Sequence, residues 1–354
     1  MTARAPDFGE LAPLFTAEID GVANYNIGVA GGRWIVLQAF GSLAQPACRD
    51  AYGAILARRS LFDDREAAYF GVSADRADRG APGEGARIPG LRCFWDFDLE
   101  IFKLYGLVRD GGLQPAVFLI DRALRIVMAE TIEATGAVLD ELERRLAAER
   151  AETEQPFAPV LVLPRVFEPD FCARLIQYFE HDGGSESGFA AEVEGKTTTI
   201  VNPLFKRRQD ATIEDEALLA ETRARLDRRL LPMVKRAFNW QATEIERFLV
   251  CRYGASDQGF FSAHRDDATA GTAHRKFAVT INLNADDYDG GDLRFPEFGR
   301  RLYRPPTGGA VVFCCSLLHE VTPVTRGVRY CFVPFLYDAD GANIREANMA
   351  RVAV

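Results

Sequence analysis

His264-Arg265-Asp266 places two metal-capable side chains two residues apart, just beyond the strand-like run Glu246–Tyr253. On a strand, residues i and i+2 face the same side, so His264 and Asp266 are expected to converge. A third donor, His319, follows the apolar run Ala310–Cys314, where a ligand supplied by an opposite sheet would stand. Two imidazoles and one carboxylate occupy three corners of an octahedron and leave three open, a donor set suited to ferrous iron. The fold has to bring these positions together. Working outward, Lys276–Leu283, Asp292–Phe295, Arg301–Tyr303, Ala310–Phe313 and Arg329–Tyr337 are further short strand signals. Asp289-Gly290-Gly291, Pro305-Pro306 and Gly308-Gly309 separate them as turns. Many short strands punctuated in this way predict a sandwich or barrel, and the strand count fits a jelly roll, or double-stranded β-helix.

Upstream, Glu168-Pro169-Asp170 opens a helix running to about Phe179, with proline in its first turn. Asp182–Gly195 is polar and glycine-rich and reads as a mobile loop. Asp215–Phe238 reads as a long helix that Pro232 should kink or split. Both helices are expected to brace the outside of the sheet. Charged residues 149–154, with Pro156 and Pro159 beyond, place a boundary near Thr153, giving domains 1–152 and 153–354.

The first half alternates differently. Arg33–Gly41 is a buried strand, Arg49–Ser60 a helix, Ala67–Ala74 a second strand, and Gly80–Gly90 a Gly/Pro-rich loop. Asp98–Leu107 has helical spacing, Ala116–Ile120 and Arg125–Ala129 flank a turn, and Thr135–Glu149 is an amphipathic helix. That order predicts an α/β sandwich. The overall fold class is therefore α/β plus mainly β.

Composition narrows the partners. The chain has 354 residues, 48% of them hydrophobic, enough for packed cores. Its net charge of -9 argues against general nucleic-acid binding. Lys206-Arg207-Arg208 is a local basic exception, read as a solvated loop. The seven cysteines, Cys48, Cys93, Cys172, Cys251, Cys314, Cys315 and Cys331, form no CxxC pair and suit a reducing compartment. No long apolar run predicts a membrane span, and the N-terminus shows no signal pattern, so a cytoplasmic protein is expected.

In combination, His264-Arg265-Asp266, Gly290-Gly291-Asp292-Leu293-Arg294-Phe295-Pro296 and His319-Glu320-Val321-Thr322-Pro323-Val324 through Arg329-Tyr330 resemble the prolyl 4-hydroxylase branch of the Fe(II)/2-oxoglutarate oxygenases, over about residues 160–338. The resemblance implies that His264, Asp266 and His319 hold Fe(2+). It implies that 2-oxoglutarate is the cosubstrate, its far carboxylate gripped by Arg329 with help from Tyr253, and Asn282 as a further contact. O2 is the oxidant and ascorbate a candidate reductant. A C–H bond of an amino-acid, peptide or protein substrate would be hydroxylated, with release of succinate and CO2. Phe260, Phe261, Phe313 and Phe332 are apolar residues suited to exclude water near the ligands. Arg265, between two ligands, should point away on a regular strand; turned inward it could hold a substrate carboxylate. His274 reads as a loop histidine and His181 as a helix-end residue.

Phe40–Cys48, Asp96-Phe97-Asp98 running on to Tyr105-Gly106, and Pro115-Ala116-Val117-Phe118-Leu119-Ile120-Asp121 resemble the thioredoxin-like fold in its peroxiredoxin branch, over about residues 6–150. The resemblance puts a cis-proline at Pro115. Cys48 stands at the place of the peroxide-reactive cysteine, just before a helix whose N-terminus would favour thiolate. Ser42 and Gln45 replace the proline and threonine usual upstream of it, and no second cysteine lies three residues away. Two readings of this half stay open. It is a thiol peroxidase acting through Cys48, or a degenerate module for docking or homodimerisation.

Overall fold

The computed structural model describes residues 4–19, 22–79, 90–151 and 156–352. The expected loop at 80–90 and the boundary at Thr153 fall almost wholly outside them. The chain divides into two compact units, residues 1–156 with 296–299, and residues 157–295 with 300–354.

The first unit is built on a seven-stranded sheet. Its order is Val22–Asn26, Thr16–Ile19, Leu91–Trp95, Ala67–Ser73, Trp34–Gly41, Ala116–Ile120, Ile126–Thr131. Trp34–Gly41, Ala67–Ser73 and Leu91–Trp95 run parallel, and the remaining pairs are antiparallel. Alternate residues of each strand feed opposite cores. Val36, Tyr69, Val117 and Leu119 pack with Ile55 of the helix Pro46–Ala57 and with Val138, Leu139 and Leu142 of the helix Thr135–Ala151. Ile35, Leu37, Phe70 and Phe118 pack on the other face with Phe94, Ile101, Phe102 and Tyr105. Coverage on both faces explains why these strands read as unbroken apolar runs. Pro115 is not cis: the described residues contain no cis peptide bond, and trans is the lower-energy X–Pro isomer.

The second unit is built on two large antiparallel sheets, with the two-stranded pairs Phe189–Val193/Lys196–Ile200 and Asp289–Gly290/Val324–Arg326 beside them. The larger runs Leu161–Leu163, Ala310–Cys314, Phe277–Asn282, Val328–Phe332, Leu249–Gly254, Gln209–Thr212, Ser185–Glu186, with Glu244–Glu246 and Phe335–Tyr337 paired beside it. The smaller runs Lys206–Arg207, Phe260–His264, His319–Val321, Leu293–Arg294, Leu302–Tyr303. The helix Pro169–Asp182 sets Phe171, Leu175 and Phe179 into one core with Leu226, Leu230 and Val234 and with Val250, Val279, Ile281, Val312 and Phe332 of the larger sheet. By strand alternation, Cys251, Tyr253, Thr280, Asn282, Arg329 and Cys331 occupy the opposite face of that sheet. One face is an apolar seat for helices and the other is polar.

The long helix is interrupted, as expected from Pro232: Glu216–Arg225 and Leu231–Phe238 flank the π-type turn Leu226–Leu230, with Pro232 in the first turn of the second piece. Other expectations need correction. Residues 182–195 do not form one loop. They contribute the strand Ser185–Glu186 and the hairpin strand Phe189–Val193, which pairs with Lys196–Ile200. Lys206-Arg207-Arg208 is not solvated throughout. Lys206 is buried, its Nζ donating to Ser187 Oγ at 2.7 Å and to Gly188 O at 2.6 Å, and Arg208 is buried against Asp210 at 2.7 Å. Those acceptors replace the water the charges lose.

Candidate functional site

The strand Phe260–His264 pairs with His319–Val321 so that His264 lies directly opposite His319. The third ligand candidate therefore comes from the neighbouring strand of the same sheet, not from the opposite sheet as its spacing suggested. Asp266 lies beyond the strand end, in a turn, and its N–H donates to Cys315 O at 2.9 Å. That turn, rather than strand alternation, carries its carboxylate back toward the imidazoles. His264 Nε2 stands 3.5 Å from Asp266 Oδ1, and His319 Nε2 stands 3.3 Å from Asp266 Oδ2. One donor atom from each residue lies within 4.8 Å of the other two.

Backbone carbonyls fix the tautomers. His264 Nδ1 is 2.7 Å from Ser262 O and His319 Nδ1 is 3.0 Å from Leu317 O. A carbonyl oxygen only accepts, so each Nδ1 carries the hydrogen. Burial, with His319 beside it, pushes His264 down to about 4, so its ring is neutral at pH 7. Its Nε2 then offers a lone pair toward the carboxylate. Lone pairs facing one another at a buried point repel unless a cation sits among them, and imidazole oriented by its far nitrogen is the usual metal-ligand arrangement. Phe261 stacks on His264 with ring centroids 3.6 Å apart, and Phe313 lies edge-on to His319 at 4.6 Å. Of the other expected water-excluding residues, Phe260 is half-buried beside the Arg207 guanidinium and Phe332 belongs to the helix-side core.

Arg329 stands across the strand pair from Tyr253, and its guanidinium carbon lies 5.3 Å from the Tyr253 ring centroid. Nη2 donates to Thr280 Oγ1 at 3.1 Å, and Nε and Nη2 each lie 3.4 Å from Asn282 Oδ1. Asn282 Nδ2 donates to Pro305 O at 2.9 Å, which directs its oxygen toward the guanidinium. Nη1 of Arg329 is buried and has no hydrogen-bond partner among the described residues. A permanently charged, desolvated guanidinium with an unused edge is a receptor for a carboxylate.

The other candidates are placed differently. Arg265 donates from Nη1 to the Ser316 carbonyl. His274 is buried rather than in an open loop, because its Nε2 sits 2.7 Å from Glu246 Oε2. Glu246 also receives Arg275 Nε at 2.7 Å. His181 lies in the last turn of its helix. Cys48 is fully buried in the first turn of Pro46–Ala57, 3.7 Å from Gln45 Oε1. Burial pushes its thiol up, and the carboxylates of Glu133 and Asp78 push the same way, against the fall expected from a helix N-terminus. Sequence reasoning passed over Thr280, which holds Arg329, and Tyr288, a buried tyrosine near it. A threonine in a strand and a tyrosine before a glycine turn carry no signal that separates them from ordinary core.

Residues 248–337 match the family model of the 2OG-Fe(II) oxygenase superfamily. Among curated proteins, the chain is 37% identical over 82 residues to a PKHD-type hydroxylase of a Synechococcus strain, covering 22% of this chain and 37% of that protein. It is 40% identical over 78 residues to a PKHD-type hydroxylase of a Caulobacter strain, covering 22% and 34%. The match thus spans little more than a third of those relatives. Among solved structures, a prolyl-4-hydroxylase of Pseudomonas putida is similar at 17% identity, covering 54% of this chain and 97% of that one, with a TM-score of 0.39. Residues 248–337, which carry His264, Asp266, His319 and Arg329, are accordingly similar to the 2OG-Fe(II) oxygenases, a superfamily that uses Fe(2+), 2-oxoglutarate and O2.

Proposed function

We propose that the second unit is a jelly-roll dioxygenase, dependent on Fe(2+) and 2-oxoglutarate, that hydroxylates a C–H bond of an amino-acid, peptide or protein substrate and releases succinate and CO2. The observation that carries the proposal is the convergence of His264 Nε2, His319 Nε2 and the Asp266 carboxylate, with both Nδ1 atoms committed to carbonyls. This donor set fits a divalent iron and leaves coordination positions for a keto acid and oxygen. The orphaned Nη1 of Arg329 fits the far carboxylate of the keto acid.

When bound, the iron and its cosubstrate supply the oxidising power. The chain's own residues supply geometry. Thr280 and Asn282 fix the guanidinium of Arg329, and the Tyr253 ring supports it, so the carboxylate docks without reorganisation. Phe261 and Phe313 hold the imidazoles and keep water from them. The low local dielectric strengthens every charge interaction inside. For the first unit we infer a thioredoxin-like fold, supported by three parallel strands continued by an antiparallel hairpin with helices packed against the sheet. Its role is docking or dimerisation, since burial raises the Cys48 thiol and disfavours the peroxidase alternative. The cysteines are free thiols, in keeping with a cytoplasmic setting.

The test is release of succinate from 2-oxoglutarate with Fe(2+), ascorbate and a panel of amino acids and peptides. Release should vanish in His264→Ala and His319→Ala. Equal turnover in both variants and the unmodified chain would remove the proposal.

A further inference from the structure

Cys251 and Cys331 stand directly opposite one another on the strands Leu249–Gly254 and Val328–Phe332, and both are fully buried. Among the described residues no other two cysteines face each other across a strand pair. Tyr330 turns its backbone to the other neighbouring strand, its N–H donating to Asn284 Oδ1 at 2.9 Å and its carbonyl accepting from Leu283 N–H at 3.0 Å. Backbone groups alternate sides along an antiparallel strand, so those of Cys331 meet Cys251. Residues paired in this way have Cα atoms about 5.5 Å apart, within the span that a disulfide bridges.

The two thiols already meet. The Cys251 S–H and the Thr280 hydroxyl both donate to Cys331 Sγ. The bond from Cys251, and after it the guanidiniums of Arg329 and Arg208, hold Cys331 below the usual thiol range in spite of burial. Burial pushes Cys251 the other way. One sulfur is thus a ready thiolate and the other a resolving thiol beside it, which is the pairing that reversible thiol oxidation needs. Cys331 lies two residues beyond Arg329, and Cys251 two before Tyr253, so all four share the polar face of the larger sheet. Under the oxygenase reading that face has to admit keto acid and dioxygen, and hydrogen peroxide is close to dioxygen in size. Thr280 links the thiols to the arginine: its hydroxyl donates to Cys331 and accepts from Arg329 Nη2 at 3.1 Å.

We propose that Cys251 and Cys331 are a redox dithiol that hydrogen peroxide closes into a cross-strand disulfide, loosening Arg329 and with it the hold on the keto-acid cosubstrate. The first half needs only the two thiols, and the second rests on the oxygenase reading. Cys331 Sγ attacks one peroxide oxygen and breaks the O–O bond, giving a sulfenic acid and a hydroxide that takes a proton to become water. Cys251 Sγ then displaces the sulfenic oxygen, which leaves with the Cys251 proton as a second water. Two thiols lose two electrons, one peroxide gains them, and a dithiol reductant reverses the step. A disulfide sulfur carries no charge and accepts weakly, so the Thr280 hydroxyl loses the partner that fixed its orientation toward Arg329.

The unmodified full chain, free of metal, is treated with hydrogen peroxide, its remaining thiols are blocked in denaturant, and its peptides are weighed. The expected product joins the peptide holding Cys251 to the one holding Cys331, and dithiothreitol separates them. Untouched thiols, a sulfenic or sulfinic acid without that crosslink, or a crosslink to another cysteine overturns the dithiol. A second arm loads the reduced and the oxidised chain with Co(2+), once peroxide is removed, and titrates 2-oxoglutarate by the shift in visible absorption. Oxidation should raise Kd about 10-fold, the effect of one hydrogen bond to a charged group, and reduction should restore it. Peroxide treatment should leave the Kd of Cys251→Ser unchanged. An unchanged Kd in the crosslinked chain, or an equal rise in Cys251→Ser, overturns the control of Arg329 and leaves the oxygenase reading intact. Failure of the reduced chain to bind 2-oxoglutarate overturns that reading and the control together, while the peptide masses still decide the dithiol.

Discussion

His264 and His319 face one another directly across two antiparallel strands, with ring centroids 4.3 Å apart. Two imidazoles at that distance, each with its Nε2 near the same carboxylate, gain from a shared cation. Asp266→Asn replaces the charged acceptor with an amide that can donate to an imidazole. The metal-free variant should unfold at the same temperature as the unmodified protein or a few degrees higher. Added Mn(2+) or Co(2+) should raise Tm in the unmodified protein alone. A metal-induced Tm rise of equal size in Asp266→Asn would contradict this.

Arg329→Ala removes the only described guanidinium held by Thr280 and Asn282, and it should weaken 2-oxoglutarate binding by roughly 2–5 kcal/mol, the range for truncating a buried charge pair. Arg329→Lys should restore little, since an ammonium cannot present two parallel donors. Steady-state kinetics at varied 2-oxoglutarate would report this as a rise in KM, and an unchanged KM would speak against the assigned role.

Glu246 gives a pH test of stability; its partner Arg275 also donates from Nη1 to Asp266 O at 3.5 Å. Burial pushes its carboxyl up, but His274 and Arg275 more than reverse that and hold it down to about 2. A depressed carboxylate stabilises above its unfolded pKa, near 4.5, and that contribution is lost as pH falls through about 2. Glu246→Gln should cost about 3 kcal/mol in urea unfolding at pH 7, as an order of magnitude. The gap should narrow steadily from pH 4.5 downward. A gap that does not change with pH would show that packing, not charge, is what the substitution disturbs.

Cys48 should be a slow thiol. With its Sγ buried and its ionisation raised, alkylation by iodoacetamide at pH 7 should be far slower than that of a free cysteine peptide. Peroxide consumption should be equal in Cys48→Ser and the unmodified chain. Rapid sulfenic acid formation at Cys48 would return the peroxidase reading to contention.

Much of this arrangement was readable in the chain because metal and carboxylate chemistry draw on few residue types. His264, Asp266 and His319 could be singled out as donors, and Arg329 as the one strand arginine placed to meet a keto diacid. Short apolar runs bounded by Gly, Pro and Asp turns gave the strands. The parts that were not readable depend on partners distant in sequence. Lys206 and Arg208 look like solvated charges until Ser187, Gly188 and Asp210 are brought beside them. His274 looks like a loop residue until Glu246 is opposite it. Asp266 reaches the imidazoles through a turn held by Cys315, which no i, i+2 rule anticipates. The thiol of Cys48 was expected to be activated by its helix, but burial and two carboxylates outweigh a half-charge at the helix end.

The strand Val328–Phe332 sends Phe332 into the helix-side core and Arg329 to the opposite face. Deleting one residue just upstream of it would do more than shorten a loop. It would turn the reaction chamber inside out, setting Tyr330 where the guanidinium belongs and Arg329 in the place of Val328, against the helix-side core. Insertions and deletions in this stretch should therefore be lethal to folding and catalysis together, whereas single substitutions can separate the two.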